Sequence, residues 1–417
     1  MRIAFYAPLK APDSDVPSGD RQIARLLVRA LQMGGHEVTL LSRFRAFEGS
    51  GNASRMRRLE RIGGKLATRH ARRLKAMPPE LRPEAVFTYH VYDKAPDWIG
   101  PGVARALGIP YLICEASLNP KRAEGARAIG FAAARAAVAS AHCILEINPR
   151  DRGAVDAALG PRGVIRSLAP FLDIAALDPE PGSGTPAPIP ADALRETLGR
   201  RHGLDPSQPW LLAVAMMRRG DKLESYRALA AALTELVQRP WQLLVVGEGD
   251  ARGAVEAAFR PLGRERIRFL GLQEGAALAD IYRSADIFAW PAVNEALGMA
   301  ILEAQALGCP VVAGGGGAVG AIVEHEATGF LVPNGDPRAF AKAVDGLLRD
   351  PDRAAAMGAA ARRRARRCHG IETGAMTIDQ ALADSLRRVP ARNDCAASAA
   401  GLPAGAGEAG GAPYQRE

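Results

Sequence analysis

Short apolar segments alternate with helical segments along this chain, and that alternation constrains the fold more than any other feature. Residues 2–8 (RIAFYAP) read as a buried strand, residues 21–33 have the spacing of an amphipathic helix, and residues 37–42 (EVTLLS) read as a second strand. Strands joined through a helix lie parallel in one sheet. A second series of the same kind begins at residue 209. We therefore predict an α/β protein with two doubly wound parallel sheets.

The chain divides where this alternation is interrupted. Its 417 residues exceed the length at which a single core usually stops growing, about 250–300 residues, so two domains are expected. A Pro-, Gly- and Ala-rich stretch after residue 174 separates the two series. The predicted boundaries are an N-terminal domain at 1–180, a linker at 181–208, a C-terminal domain at 209–370, a C-terminal helix at 371–390 and a disordered Ala/Gly-rich tail at 391–417.

Cysteine usage and the lengths of apolar runs predict where the protein works. The five cysteines are scattered without a C-x-x-C pair, which disfavours a disulfide framework or a zinc site. The first ten residues lack the charged lead and long apolar core of a signal peptide. No window approaches the roughly 18 uninterrupted apolar residues of a membrane span. We therefore expect a cytoplasmic protein.

Positive charge is concentrated in residues 43–75, which carry eleven Lys and Arg against two glutamates. A partial helical stripe of apolar residues runs through the segment: Met56, Leu59, Ile62, Leu66 and Leu74. One interpretation is a solvated helix face, and the other is peripheral contact with an anionic membrane, at the inner face. No aromatic side chains interleave with the basic ones between residues 53 and 75, so no nucleic-acid partner is predicted.

The segment NEALGMAILE at 294–303 has the composition of a turn that binds phosphate and sugar. It follows the apolar strand IFAWP and opens into a helix, and ligands of open α/β sheets bind outside the carboxyl ends of the strands. A helix N-terminus suits phosphate oxygens, and the backbone N–H groups expected there belong to Gly298, Met299 and Ala300. The carboxylates of Glu295 and Glu303 can each accept hydrogen bonds from neighbouring sugar hydroxyls. The alternative is that Glu295 is an exposed loop residue and Glu303 is a solvated helix residue.

Residues 286–344, which contain this segment, closely resemble family 4 glycosyltransferases of the GT-B fold. The E-x7-E signature of the family matches Glu295 and Glu303, and two further family segments match Ala306–Ala313 and Thr328–Asp336. The resemblance implies two Rossmann-like domains that face a central cleft. It also implies transfer of a sugar, with retention of configuration, from a nucleotide-diphosphate sugar to a glycan, lipid-linked or small-molecule acceptor.

The resemblance assigns roles to the residues around the E-x7-E pair. Glu303 is expected to bind the ribose of the donor, and Glu295 is expected to contact the donor sugar as a catalytic residue. Gly298 and Met299 resemble the backbone donors to sugar and phosphate. These expectations agree with the physical interpretation of the turn, in which two hydrogen-bond acceptors flank a phosphate-binding helix N-terminus.

Cations and glycines complete the donor site that the resemblance implies. Arg218 and Lys222, in AMMRRGDK, resemble the basic pair that neutralises the diphosphate, with a spacing one residue shorter than usual. Fixed cations stabilise the charge that develops on a departing diphosphate. The alternative is a surface pair beside a turn. Gly19 resembles part of a Gly-rich loop that faces the diphosphate, with Asp20 in place of the usual second glycine, and Gly247 in VVGEGD is a further donor-binding position.

The N-terminal domain departs from the family pattern. The histidine that members often carry near the reacting sugar is absent, since the aligned position is about Ala116. Its neighbour Glu115 is either a catalytic carboxylate of the cleft or a satisfied loop residue. His90, at the end of another predicted strand, is either an acceptor-binding residue or a structural histidine.

Three classes of function are open at this point: a glycosyltransferase, a non-catalytic scaffold or binding protein on a GT-B fold, and a sugar-nucleotide epimerase or phosphorylase. The missing histidine and Asp20 favour the scaffold, whereas the intact E-x7-E pair and Lys222 favour the transferase. No acid/base set for epimerisation is visible. The D-x-D triplet Asp13–Asp15 lies in the first strand–helix loop, so no metal is predicted, and no cofactor is predicted beyond the nucleotide-sugar substrate.

Overall fold

The computed structural model describes residues 1–16, 18–179 and 191–389. The predicted tail at 391–417 and the first part of the predicted linker, 181–190, lie outside the described residues. The described chain forms two six-stranded parallel sheets flanked by helices, so the prediction of two doubly wound α/β domains is confirmed. None of the described helices is both long enough and apolar enough to cross a membrane.

The N-terminal sheet has the strand order β2-β1-β3-β4-β5-β6. Its elements are β1 (Arg2–Tyr6), α1 (Gly19–Met33), β2 (Glu37–Ser42), α2 (Ala53–Lys75), β3 (Ala85–Val91), α3 (Gly100–Leu107), β4 (Tyr111–Ala116), α4 (Ala128–Ser140), β5 (Cys143–Glu146), α5 (Arg152–Ala158) and β6 (Val164–Ser167). Alternate strand residues belong to two separate apolar clusters, one on each face, because successive side chains of a strand point in opposite directions.

The C-terminal sheet has the order β12-β11-β10-β7-β8-β9. A short helix, α6 (Ile174–Leu177), lies in the connection, and the domain then comprises α7 (Ala191–His202), β7 (Trp210–Val214), α8 (Asp221–Thr234), β8 (Gln242–Val246), α9 (Arg252–Phe259), β9 (Ile267–Gly271), α10 (Gly275–Ser284), β10 (Ile287–Trp290), α11 (Met299–Ala306), β11 (Val311–Gly314), α12 (Val319–Ile322), β12 (Gly329–Val332), α13 (Pro337–Arg349) and α14 (Pro351–Cys368). Helix α15 (Ile371–Arg388) follows.

The predicted linker is partly structured. Within the range 181–208, the described part contains α7, whose Leu194 and Leu198 are buried in the core of the C-terminal domain. These two leucines are four residues apart and share one helix face, so burial of that face stabilises the helix. The interpretation of 191–202 as linker is therefore wrong, and this segment belongs to the C-terminal domain.

The chain crosses between the domains twice, and the two crossings lie side by side. The backbone N–H of Leu172 donates to the carbonyl of His369 at 2.8 Å, and His369 Nδ1 lies 2.7 Å from the carbonyl oxygen of Pro170. After the second crossing, α15 packs back onto the N-terminal domain. It completes the apolar cluster on the face of the sheet that carries Phe5 and Phe87, to which it contributes Ile371, Ala375, Ile378, Ala381 and Leu382. The described end of the chain therefore belongs structurally to the domain in which the chain begins.

Candidate active site

The carboxyl ends of β7 and β10 are the topological switch point of the C-terminal sheet, because the chain continues from β7 to β8 on one side and from β10 to β11 on the other. Lys222 lies in the first turn of α8, and Glu295 lies in the loop after β10. Lys222 Nζ is 2.6 Å from Glu295 Oε2. The indole N–H of Trp290 donates to the same oxygen at 3.0 Å. The fold thus brings a predicted cation and a predicted carboxylate, 73 positions apart, into direct contact.

Helix α11 begins directly after this loop. Gly298 caps it with φ 68° and ψ 30°, a left-handed conformation that favours glycine, and a β-carbon there would approach Ile322 Cδ1 to 3.1 Å. The first N–H groups of the helix, at Met299 and Ala300, have no intrahelical acceptor and lie at the carboxyl edge of the sheet. The side chain of Met299 packs with Leu297 against the N-terminal core. An anion bound at this helix N-terminus would therefore lie beside the interdomain cleft.

Glu303 lies one turn further along α11 and is half-buried. The hydroxyl of Tyr282 donates to its Oε2 at 2.9 Å, and the same hydroxyl lies 3.2 Å from the carbonyl oxygen of Ala300. Burial raises the pKa of Glu303 to about 7, and the hydrogen bond from Tyr282 opposes part of that rise. This carboxyl group therefore changes its protonation state near neutral pH.

Arg218 extends from the loop after β7 and is exposed. Within the described ranges, no ion pair or side-chain hydrogen bond involves its guanidinium. Its charge contributes to lowering the pKa of Asp20 and of Lys10, two residues of the N-terminal domain. Arg218 therefore faces the cleft and has its hydrogen-bond donors available for an anion.

The N-terminal sheet has its own switch point between β1 and β3, and an acid–histidine pair lies there. His90 Nδ1, at the end of β3, is 3.0 Å from Asp20 Oδ1 in the first turn of α1, and the His90 ring stacks on Tyr92 with centroids 4.6 Å apart. Burial acts to raise the pKa of Asp20, but the hydrogen bond and charge of His90, with the charge of Arg218, outweigh it and hold that pKa below its usual value. Asp20 thus fixes His90 at the cleft.

Glu115 does not join either pair. Its carboxylate oxygen Oε2 accepts the backbone N–H groups of Ile147 and Asn148 at 2.9 and 3.1 Å, and the residue is buried at the end of β4. Burial raises its pKa, while these hydrogen bonds and the nearby His90 charge oppose the rise. Because Glu115 anchors the loop after β5, this geometry favours the alternative of a satisfied loop residue over that of a catalytic carboxylate.

The two predicted glycines outside the E-x7-E segment have different environments. A β-carbon on Gly247, which has φ 139°, would lie 1.9 Å from the carbonyl oxygen of Ala215, so this glycine lets the β8 and β7 loops pack together. A β-carbon on Gly19 would meet no atom within 4 Å. Gly247 therefore has a structural reason to be glycine, whereas Gly19 borders open space at the start of α1.

We expect Gly247→Ala to lower the free energy of unfolding by about 3 kcal/mol or more, because the added methyl overlaps backbone. Gly19→Ala is the matched control and should stay within about 0.5 kcal/mol of the wild type. Urea unfolding followed by circular dichroism measures both. Equal stability of the two variants would contradict the packing assigned to Gly247.

Backbone strain marks the same edge of both sheets. Four of the five described non-glycine residues with positive φ follow or end a strand there: His90, Glu115, Ala292 and Asn294. Such conformations cost free energy, persist only where the surroundings enforce them, and cluster at functional sites. The strain therefore supports a site in the cleft independently of residue type.

Three residues of the cleft were not found from the sequence: Trp290, Tyr282 and Arg150. Trp290 and Tyr282 hold the two glutamates, as described above. Arg150 follows β5, and its Nη2 would lie 3.7 Å from a β-carbon on Gly317 of the other domain. Their partners are distant in sequence or depend on the path of a strained loop, so no spacing rule could have identified them.

Comparison with known proteins relates the C-terminal domain to a family of enzymes. Residues 208–350 match the family model described as "Glycosyl transferases group 1". The D-inositol 3-phosphate glycosyltransferase of Xylanimonas cellulosilytica is 36% identical over 211 residues, which are 49% of this chain and 49% of that protein. The chain thus spans about half the length of such relatives. The range that matches the group 1 model includes every predicted donor-site residue except Gly19. The finer assignment to family 4 stays a prediction.

Solved structures resemble the chain over a larger part of its length. Sucrose-phosphate synthase from Thermosynechococcus elongatus has a TM-score of 0.67 at 22% identity and covers 92% of this chain and 98% of its own. Anabaena Alr3699/HepE in complex with UDP-glucose has a TM-score of 0.65 at 18% identity and covers 93% and 99%. At these identities the likeness shows the fold, which is GT-B.

Proposed function

We propose that this protein is a glycosyltransferase that uses a nucleotide-diphosphate sugar as donor. The observation that carries the proposal is the contact between Lys222 and Glu295 at the switch point beside the N-terminus of α11, inside the segment that matches group 1 glycosyltransferases. A cation, a helix N-terminus and a sugar-binding carboxylate are then adjacent, as a sugar diphosphate requires. The complex of HepE with UDP-glucose supports a donor of this class.

In this proposal the donor binds to the C-terminal domain and the acceptor to the N-terminal domain. The diphosphate lies at the start of α11 between Lys222 and Arg218, the ribose donates to Glu303, and the sugar hydroxyls donate to Glu295. Lys222, Arg218 and the helix N-terminus stabilise the departing diphosphate, so no metal is needed. Closure of the cleft excludes water and limits hydrolysis of the donor. Retention of configuration is part of the proposal and is tested by NMR of the product.

Cations on the N-terminal side support an anionic acceptor. Lys94, in the turn after β3, is half-buried, and within the described ranges its ammonium has no hydrogen bond or ion pair. Burial, with the nearby charges of Arg127 and Arg122, lowers its pKa. Arg122 and Arg127 are paired with Asp93, so it is the charge of the Lys94 ammonium that an anionic group would compensate. We include a phosphorylated cyclic polyol, as in the name of the Xylanimonas relative, among the proposed acceptors, beside glycan and lipid-linked acceptors.

A donor panel tests the function. The purified protein is incubated with UDP-, GDP-, ADP- and TDP-sugars, with and without EDTA and with neutral and phosphorylated acceptors, and release of the nucleoside diphosphate is measured. Release from one donor, unchanged by EDTA and lost in Glu303→Ala, is expected. Binding of nucleotide without turnover under any acceptor would favour the scaffold alternative, and conversion of the donor sugar to an isomer would favour an epimerase.

We also propose that α2 contacts anionic membranes from the cytoplasmic side. The buried face of α2 includes Met56 and Leu74, whereas Ile62 is 37% exposed and the basic side chains line the solvent face. Because the apolar stripe is largely used against the protein, the contact would be electrostatic and not an insertion.

We expect co-sedimentation with vesicles of 30% phosphatidylserine at low salt and its loss in rising salt, because screening shortens the reach of surface charges. Neutralising three residues of α2 should lower binding about a hundredfold, at about 1 kcal/mol per charge: Arg61, Lys65 and Arg69. The control neutralises three exposed cations of the other domain: Arg338, Lys342 and Arg363. Equal binding by both triple variants, or no binding at low salt, would contradict a role of α2.

A further inference from the structure

Trp290 occupies a position that links the two charged residues of the proposed donor site. It is buried at the end of β10, with 2% of its surface exposed. Its indole N–H donates to Glu295 Oε2 at 3.0 Å, and its ring centroid lies 5.6 Å from Lys222 Nζ. One side chain therefore contacts the carboxylate by a hydrogen bond and the ammonium through its ring face.

The indole is itself held in place by a neighbour. The ring of Tyr226 meets it edge-on, with centroids 4.9 Å apart and planes at 78°, and the Tyr226 hydroxyl donates to the carbonyl oxygen of Ala215 at 2.7 Å. Ala215 begins the loop that carries Arg218. A contiguous set of contacts thus connects the β7 loop, α8 and the β10 loop through Trp290.

The loop that carries Glu295 needs such support. Two of its non-glycine residues, Ala292 and Asn294, have left-handed φ values of 55° and 50°. The loop is tied to α8 by Val293 N–H, which donates to Ser225 Oγ at 3.0 Å, and by Asn294 Nδ2, which donates to Asp221 Oδ1 at 3.1 Å. These bonds hold the backbone, and Trp290 and Lys222 hold the carboxylate.

The Lys222–Glu295 pair has a consequence for donor binding. Both groups satisfy each other in the ligand-free protein, yet the proposed function assigns them different parts of the donor, the diphosphate and the sugar. When the diphosphate takes Lys222, Glu295 loses its charged partner and would be free to rotate. The indole N–H is the one remaining donor on Oε2 among the described contacts of that carboxylate.

We propose that Trp290 is a positioning residue that keeps Glu295 aimed at the donor sugar after Lys222 has moved to the diphosphate. This inference rests on the proposed function and names a residue that acts through Glu295. It separates two properties of the site: nucleotide binding depends on Lys222 and Glu303, whereas sugar placement depends on the indole N–H. Loss of that N–H should therefore affect turnover and leave nucleotide affinity unchanged.

The test replaces Trp290 with phenylalanine, which keeps an aromatic ring against Tyr226 and removes the N–H. The matched control is Trp241→Phe, because Trp241 is also fully buried in this domain and its indole N–H donates to a backbone carbonyl, that of Leu236, at 2.8 Å. For each protein we would measure kcat and KM for the donor, the Kd of the nucleoside diphosphate and the melting temperature.

We expect Trp290→Phe to lower kcat about tenfold or more, as for one lost hydrogen bond to a charged group, with the Kd of the nucleoside diphosphate within about twofold of the wild type. Trp241→Phe should lower the melting temperature comparably and leave kcat unchanged. A wild-type kcat in Trp290→Phe would overturn the inference. A loss of nucleotide affinity that parallels the loss of kcat would also overturn it, because it would indicate that Trp290 acts through packing alone.

A fluorescence measurement separates this inference from the proposed function. Binding of the nucleoside diphosphate should draw Lys222 away from the indole and change the tryptophan emission of the wild type and of Trp241→Phe, but not of Trp290→Phe. If this change occurs and no donor is consumed, transfer is refuted while the movement of Lys222 stands. If nucleotide binds and emission does not change, the exchange of partners is refuted.

Discussion

Lys222→Ala will lower kcat/KM for the nucleotide-sugar donor by about two to three orders of magnitude, which is the usual effect of removing one fixed group that stabilises charge in a transition state. The structure holds the ammonium of Lys222 at the loop that leads into α11, 2.6 Å from Glu295 Oε2. The variant loses charge opposite the departing diphosphate. It also leaves the carboxylate of Glu295, only 13% exposed, without a charged partner.

The measurement is initial-rate kinetics with the donor identified in the panel. Lys342→Ala is the matched control, because Lys342 is an exposed lysine of α13 in the same domain. Lys222→Met separates packing from charge, since it keeps the length of the side chain and should be as impaired as the alanine variant. Near wild-type kcat/KM in Lys222→Met would remove this residue from the proposed mechanism.

Affinity for the intact donor will fall about tenfold between pH 8 and pH 6. Burial raises the pKa of Glu303 to about 7, so the group is mostly ionised at pH 8 and mostly protonated at pH 6. The carboxylate is the form that accepts two hydrogen bonds from ribose hydroxyls. The donor therefore binds the ionised form better, and its affinity rises with pH through the pKa of Glu303.

Titration calorimetry with the nucleotide-diphosphate sugar tests this pH dependence, because its bridged diphosphate does not titrate in this range. Glu303→Gln should bind the donor weakly and with no pH dependence. Tyr282→Phe removes the hydrogen bond that lowers the pKa of Glu303, so the midpoint of its pH dependence should move upward. A pH dependence that persists in Glu303→Gln would assign the titration to another group.

The same pKa has an opposite effect on stability. The carboxyl has a higher pKa in the folded protein than in the unfolded chain, so the folded state binds more protons between pH 4.5 and about 7, and stability is lost as pH rises through that window. Glu303→Gln removes this cost. We expect the ligand-free variant to be about 3 kcal/mol more stable than the wild type at pH 8 and similar at pH 4.5, measured by urea unfolding. The carboxylate that binds the donor therefore lowers the stability of the ligand-free protein at high pH.

Some of the site could be predicted from the sequence, and the reason is local. Glu295, Gly298 and Glu303 lie in one turn and one helix, where spacing fixes position. Lys222 was identified through the family resemblance, and the pairing of β7 with β10 brings it to Glu295 in the structure. Trp290 could not be placed. Its indole reaches Glu295 because the backbone between them passes through left-handed Ala292 and Asn294. Asn adopts that conformation more readily than most residues but Ala rarely does, so the path of this loop is not predictable from residue type.

Two other elements show the limits of composition and analogy. The signal for α7, Leu194 and Leu198 on one face, was present in the sequence but was outweighed by the Pro- and Gly-rich stretch before it. For Glu115, alignment with a missing histidine indicated a catalytic role, whereas the direction of its side chain is set by two backbone N–H groups of the next loop. Long-range backbone partners of this kind are not visible in a single sequence.

The return of α15 to the N-terminal domain determines the order in which the molecule can be completed during translation. Domains usually fold in the order in which they leave the ribosome. Here the apolar cluster around Phe5 and Phe87 lacks Ile378 and Leu382 until α15 has been synthesised, and α15 is synthesised after the entire C-terminal domain. The domain translated first is therefore finished last, and until then a nascent chain exposes the face of its sheet that α15 will cover.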